Sequence, residues 1–423
     1  MSAFAPPDYE TLARGFRPVF ARIAEGAVRR EQARELPFEA VGWLREAGFG
    51  ALRVPQSQGG FGASLPQLFR LLVELAEADS NVSHLFRGHL AFIEGRLNHP
   101  DPAAQGFWLA EIAAGKLVGY AMAERTESTG STAKLTQDGD GRWRLNGKKY
   151  YSTGTIFADW IVAAGIEGDT RVSVAVPADA PGVAREDDWD GFGQRLTGSG
   201  TTIFDNVEVD PAHILRRFPA PAPAQAKSEN SYQKAFLQLI LLASLAGIGR
   251  AALRDGIAFV RPRTRAFGIQ GYSSPRADPL VQRVIGRLAS LSYSADSLVD
   301  NVAQALEALY QAALAGQADE ALFVATEIKA FQAQQIVIDT VLQATTLLFE
   351  VGGASATSET RRLDRHWRNA RTAASHNPAI FRERAIGDYY LNGTVPDAAW
   401  EATAQSAANP GDSLSGGVDA VVI

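Results

Sequence analysis

Six histidines and no cysteine bound the chemistry available to this chain: His84, His89, His99, His213, His366 and His376 are its only imidazoles. Without thiols there is no cysteine nucleophile, no disulfide and no cysteine-held metal or cluster. No two histidines stand four residues apart and no H-E-x-x-H occurs, so no metal site is expected. No G-x-S-x-G nucleophile elbow is present. A lone histidine is ordinarily a satisfied structural residue, and that reading applies to His84, His99 and His213. Residues 364–378 differ. They gather Arg365, His366, Arg368 and Arg371 around Trp367, follow Gly352-Gly353, and end in Ser375-His376-Asn377-Pro378. Such a density of donors predicts an anion or cofactor contact, with a salt-bridged helix as the alternative. A second basic run, Arg261-Pro262-Arg263-Thr264-Arg265-Ala266-Phe267-Gly268, could grip a phosphate. The Gly-rich stretch 54–62 lacks the lysine of a P-loop and reads as a structural connection.

Three kinds of element must position these residues. Leu12, Phe16, Val19, Phe20 and Ile23 recur at helical spacing, as do Leu65, Leu68, Leu71, Leu72 and Leu75. The period then becomes two: 119–123, 143–146, 149–153, 160–164, 172–176 and 201–209 are strand candidates between Gly- and Pro-rich turns. Six or so short strands predict a small barrel or sandwich. After a Pro/Ala linker at 218–224, Ile285, Leu288, Leu291, Ala295, Leu298, Val302, Leu306 and Leu309 form one stripe, and 322–349 is a second long apolar helix. A helix apolar on most faces must be covered on most faces, so a further copy of the chain is expected against the bundle. The expected fold is mostly α with a central β domain. It comprises an N-terminal helical domain (1–117), a β domain (118–217), a C-terminal four-helix bundle (228–395) and a flexible tail (396–423).

The chain has 423 residues, 46% hydrophobic and 21% charged, and a formal net charge of −6, which argues against nucleic acid as a partner. It contains no run of 18 or more apolar residues and its first residues lack the basic and apolar regions of a signal peptide, so no membrane span is expected and a cytoplasmic location is. Sulfur is scarce: the only methionines are Met1 and Met122. Genomic base bias and synthesis under sulfur limitation both account for that.

The three-part layout, Ala121-Met122-Ala123-Glu124, Leu145-Asn146-Gly147-Lys148-Lys149 and Arg265-Ala266-Phe267-Gly268 together resemble the acyl-CoA dehydrogenase superfamily. Residues 149–160 (Lys-Tyr-Tyr-Ser-Thr-Gly-Thr-Ile-Phe-Ala-Asp-Trp), 187–195 and 363–378, followed by Tyr389-Tyr390-Leu391-Asn392-Gly393, resemble its flavin-dependent monooxygenase branch. That branch is typified by dibenzothiophene monooxygenase and the sulfur-acquisition oxidoreductases. Dehydrogenases of the superfamily need a glutamate base in one of two places. Neither the matching Ser375-His376-Asn377-Pro378 nor residues 234–254 contain Asp or Glu.

The resemblance implies a two-component, FMNH2-dependent monooxygenase. It would use O2 through a flavin C4a-hydroperoxide to oxidise a small organosulfur compound of sulfide, sulfone or thiophene type. It implies FMN supplied by a separate NAD(P)H:flavin reductase, with FAD as alternative, and a homotetramer. Alternatives are an N-hydroxylase or aromatic hydroxylase on the same scaffold, an FAD-dependent acyl-CoA dehydrogenase, or an inert ligand-binding scaffold. By resemblance, His376, Thr153 and His89 are the catalytic positions. Tyr120, Ala121, Met122, Ala123, Glu124, Arg125, Lys149, Tyr151, Ser152 and Thr153 would line the isoalloxazine with His376. Arg265, Ala354 and Ser355 would hold the phosphate, the last two from the same or a neighbouring subunit. His89, Phe92, Tyr120, Tyr151 and Trp189 would form the substrate pocket.

Overall fold

A computed structural model describes residues 6–99, 102–124, 133–218, 231–265 and 274–396. Arg125, most of the Pro/Ala linker, residues 266–268 of the second basic run and the tail from 397 lie outside the described residues.

The N-terminal helices are α1 (Tyr9–Ala33), α2 (Phe38–Glu46), α3 (Leu65–Ala78), α4 (Ser80–Leu85), α5 (Arg87–Leu97) and α6 (Pro102–Ala113). The predicted stripes are the buried faces: Leu12, Phe16, Phe20 and Ile23 of α1, and all five leucines of α3. α3 starts at a capping box, in which the Ser64 hydroxyl accepts from the Gln67 N–H and the Gln67 side chain accepts from the Ser64 N–H.

Eight strands follow: β1 (Val118–Ala121), β2 (Lys134–Gln137), β3 (Trp143–Lys149), β4 (Trp160–Glu167), β5 (Thr170–Pro177), β6 (Val183–Arg185), β7 (Thr202–Val209) and β8 (Ile214–Phe218). They make one mixed sheet in the order β6-β7-β3-β2-β4-β5-β8, with β1 added parallel to β4. Alternation along β1 and β4 sorts their side chains. Ala121, Ile161 and Ala163 enter the sheet's own core, whereas Tyr120 and Val162 face the helices. The expected strand 149–153 is not formed. After β3 the chain makes an isolated Tyr151–Gly200 bridge and then turns through Thr155–Phe157.

The C-terminal helices are α7 (Ser231–Val260), α8 (Pro279–Leu314), α9 (Glu320–Leu347), α10 (Asp364–Ala374) and α11 (Ala379–Asn392). α7 has the length and apolar composition of a membrane span, but its apolar window is 89% buried within the chain. α3, α8, α9 and α10 surround it, which makes it a core helix.

The donor-rich segment is α10 and its C-terminal turn, and the expected anion contact does not hold for most of it. Arg365 and His366 both bond Asp255 of α7, the imidazole at 2.8 Å. Arg368 bonds Glu31 of α1, Asp364 and the Phe192 carbonyl. The salt-bridged alternative is what forms, because buried guanidinium groups need carboxylates. Burial would raise the Asp255 carboxyl, but His366, Arg365 and Arg254 hold it well below the usual carboxylate range. Replacing Asp255 by Ala strands Arg365 and His366 in the interior, and urea unfolding should report a loss of about 3 kcal/mol. A loss under 1 kcal/mol would mean that α10 is held by packing alone.

Candidate active site

The turn after α10 delivers His376 to a junction of α4, α5, α7 and β1. α4 and α5 meet at Phe86 with only a kink between them, so His84 and Arg87 stand on either side of one bend. Gly154 seats the β domain on this bend. At φ +80, a Cβ there would lie 2.6 Å from the Leu85 carbonyl oxygen, so only glycine fits. The rings of His84 and His376 are 6.0 Å apart.

Both imidazoles are oriented by amides. Asn377 Nδ2 donates to Gln238 Oε1 of α7 at 2.7 Å, which turns its oxygen toward His376 Nδ1 at 3.1 Å. Nδ1–H is then the donor and His376 Nε2 carries the lone pair. Gln194 donates to the Ser80 hydroxyl at 3.2 Å, which presents its oxygen to His84 Nδ1, also at 3.2 Å. His84 Nε2 is buried and has no hydrogen-bond partner. The same Gln194 is held by Asn369 of α10 and, through its carbonyl, by Thr197. Thr197 meets Ser199 at 2.8 Å, and Ser199 meets Thr153 at 2.8 Å. A chain of hydroxyls thus runs from Thr153 to the Gln194 main chain, whose side-chain amide holds His84.

The surroundings keep these histidines neutral. Burial, with the Arg87 guanidinium as second cause, pushes His84 down to about 4. His376 has open surface area yet protein on most sides, as a ring lining a concave wall does. Crowding, then Arg87, then His84 set it well below its ordinary value. Burial lowers Arg87 itself to about 10, so it stays charged at neutral pH. Burial also lifts the Tyr120 phenol to about 12, against the pull of Arg96 and Arg87.

The other expected positions divide. Tyr120 packs on α5 where Gly88 leaves room for its ring. Ala121 points into the β core, so only its backbone faces the site. Met122 packs toward the helical core, and Ala123 accepts the N–H groups of Tyr150 and Tyr151 through its carbonyl. Glu124 and Lys149 form an ion pair with each other. Tyr151 is 47% exposed and stands edge-on to Tyr150 at 5.0 Å and to Trp189 at 6.1 Å. Ser152 is buried and its hydroxyl has no partner.

His89 departs from expectation. Its Nε2 bonds the Gly50 carbonyl at 2.9 Å and its Nδ1 accepts from Val118 N–H at 3.2 Å, so both nitrogens are spent on the backbone. Phe92 packs edge-on to Trp108 at 5.1 Å and lies beneath Arg96, within an aromatic cluster of the N-terminal domain. Arg265, Ala354 and Ser355 are exposed, and no hydrogen bond joins Arg265 to the other two. His84, Arg87, Gln194 and Gln238 were not singled out from sequence. The available signal was Arg87 itself, a charge inside the apolar helical stretch 82–93.

The unpartnered atoms provide a test for a flavin. Ser152 Oγ and His84 Nε2 are buried without partners, and Tyr151, Phe192 and Trp367 expose aromatic surface. A flat heteroaromatic ring with polar atoms along one edge satisfies that mixture, so the residues fit.

The buried imidazoles have a consequence for stability. His84, His89 and His366 titrate at about 4 when folded and near 6.5 when unfolded. Stability present above pH 6.5 is lost as pH falls toward 4, because only the unfolded chain takes up protons there. Each histidine contributes up to ~1.4 kcal/mol per pH unit in that window. Urea unfolding at pH 7, 6, 5 and 4.5 should trace the decline, and a flat profile would show that these rings titrate normally.

Residues 8–116 match the acyl-CoA dehydrogenase N-terminal domain and 239–379 the acyl-CoA dehydrogenase C-terminal domain. The chain is 30% identical to a dibenzothiophene monooxygenase of Mycolicibacterium goodii, over 84% of this chain and 87% of that one. It is also 30% identical to a probable FMNH2-dependent monooxygenase of Pseudomonas putida, over 90% and 94%. The crystal structure of methanesulfinate monooxygenase from Pseudomonas fluorescens superposes with a TM-score of 0.81 at 25% identity, covering 90% of this chain and 97% of that one. With both helical domains matched and the site built on histidines, the chain belongs to the acyl-CoA dehydrogenase superfamily, in its flavin-dependent monooxygenase branch.

Proposed function

We propose that this protein is the oxygenase of a two-component system. It takes reduced FMN from a separate NAD(P)H:flavin reductase and transfers one atom of O2 to a small organosulfur compound. The names of its relatives support FMN and a sulfur substrate. The observation that carries the reading is the amide pair Asn377–Gln238 beneath His376. Superfamily dehydrogenation needs a carboxylate base at this junction, and here it holds amides and neutral imidazoles instead.

Reduced FMN would supply the two electrons with which O2 is split between product and water. The chain's own residues do the rest. His376 Nε2 offers a lone pair that can hold a proton and return it, with Nδ1 fixed on Asn377. Thr153 presents a hydroxyl held by Ser199. Tyr151 and Trp189, edge-on at 6.1 Å, would offer aromatic surface to the bound ring.

A homotetramer and a cytoplasmic location belong to the same proposal. In support of assembly, α11 buries none of its residues and exposes Ile380, Tyr390 and Leu391.

Two outcomes are expected. With FMN, NADH and a flavin reductase, His376→Ala should lower oxygenated product by ~100-fold or more while O2 is still consumed and peroxide released. Unchanged product per O2 would remove His376 from the chemistry. Light scattering should give a tetramer mass for the native chain and a smaller species for Ile380→Arg/Leu391→Arg. An unchanged mass would place the interface elsewhere.

A further inference from the structure

Four arginines are buried among the described residues, and three of them face carboxylates. Arg30 pairs with Asp79, Arg53 with Glu94 and Arg365 with Asp255. Arg87 does not. It is 6% exposed, its Nε–H reaches the Leu237 carbonyl at 3.4 Å, and Nη2 has no partner. A buried cation without a counter-ion is costly, and proteins ordinarily supply the anion or lose the charge. The groups that act on it or that it acts on are His84, His376 and Tyr120, all neutral, and Tyr120 also feels a second guanidinium, Arg96. The missing anion therefore belongs to something that enters the site.

We propose that Arg87 receives the oxyanion of the substrate, and that the substrate is a sulfinate in place of a neutral sulfide, sulfone or thiophene. This rests on the monooxygenase reading. Among organosulfur classes a sulfinate combines a negative charge with a sulfur lone pair that can still accept oxygen. The step balances: RSO2⁻ gains one oxygen atom to become RSO3⁻, the second atom of O2 leaves as water, and reduced FMN supplies two electrons and two protons. The planar guanidinium suits two oxygens on one sulfur.

The test compares methanesulfinate with dimethyl sulfone and dibenzothiophene, using the native protein, Arg87→Met and Arg87→Lys with FMN and a flavin reductase. The native protein should prefer methanesulfinate. Arg87→Met should cut the ratio of kcat/KM for methanesulfinate over the neutral compounds by roughly 30-fold, through KM, with Arg87→Lys between. A native protein indifferent to charge, or a ratio unchanged in Arg87→Met, would overturn the proposal. An unchanged ratio with weaker FMN binding would assign the charge to the flavin. Thermal unfolding controls for folding: removing an unpaired buried charge should leave Tm unchanged or raise it, whereas a purely structural arginine would lower it. If no compound is oxygenated by the native protein, the monooxygenase reading fails and calorimetric binding of methanesulfinate decides the anion site separately. Binding lost in Arg87→Met upholds it, and binding absent or equal in both sinks it.

Discussion

The structure depends on burying one helix from every side. α7 carries Phe236, Leu239, Ile240, Leu242, Leu245 and Ile248 around its circumference, and each of these side chains gains roughly 1.5–3 kcal/mol on leaving water. Satisfying all faces at once brings α3 from the N-terminal domain against α8, α9 and α10 from the C-terminal one. The few polar groups on α7 are then placed where other elements need anchoring. Gln238 holds Asn377, the Leu237 carbonyl holds Arg87, and Asp255 clamps α10. The hydrophobic effect is non-directional, and these polar exceptions give it an address.

The site reverses the electrostatics of the rest of the molecule. Elsewhere buried charge is matched: Arg53 with Glu94, which also takes the Tyr232 hydroxyl, and Arg30 with Asp79, which caps α4. At the junction the described residues supply amides in place of carboxylates. An amide can fix a tautomer without supplying charge, so His84 and His376 are oriented while remaining free to change protonation. Carboxylates in the same places would pull both imidazoles toward the charged form.

The long helices were legible because one stripe per helix is enough to declare them: the leucines of α3 and the run from Leu288 to Leu309 on α8 are buried as their spacing requires. β6 and β8 were not, because edge strands with half their surface in water show no clean alternation. α10 was misread for a different reason. Its donors are obvious in sequence, but their acceptors lie far away, Asp255 at 111 residues and Glu31 at 337. Of the site residues expected by resemblance, Thr153 lies on a hydroxyl chain that leads to His84, and His376 stands beside His84, whereas His89 is pinned on both nitrogens by backbone groups invisible in sequence. His84 reads in sequence as a lone histidine, and only the fold brings its ring to His376.

The same distances constrain how proton and substrate can share the site. Arg87 is a cause of the low proton affinity of both His84 and His376, so an empty site holds two lone pairs and one cation. An anion paired with Arg87 offsets that field and raises the proton affinity of both imidazoles in part, while burial, the larger cause, stays in place. Substrate charge and imidazole basicity thereby both act through one guanidinium. A neutral substrate leaves the field in place, so the two classes differ in what the imidazoles feel as well as in what Arg87 binds.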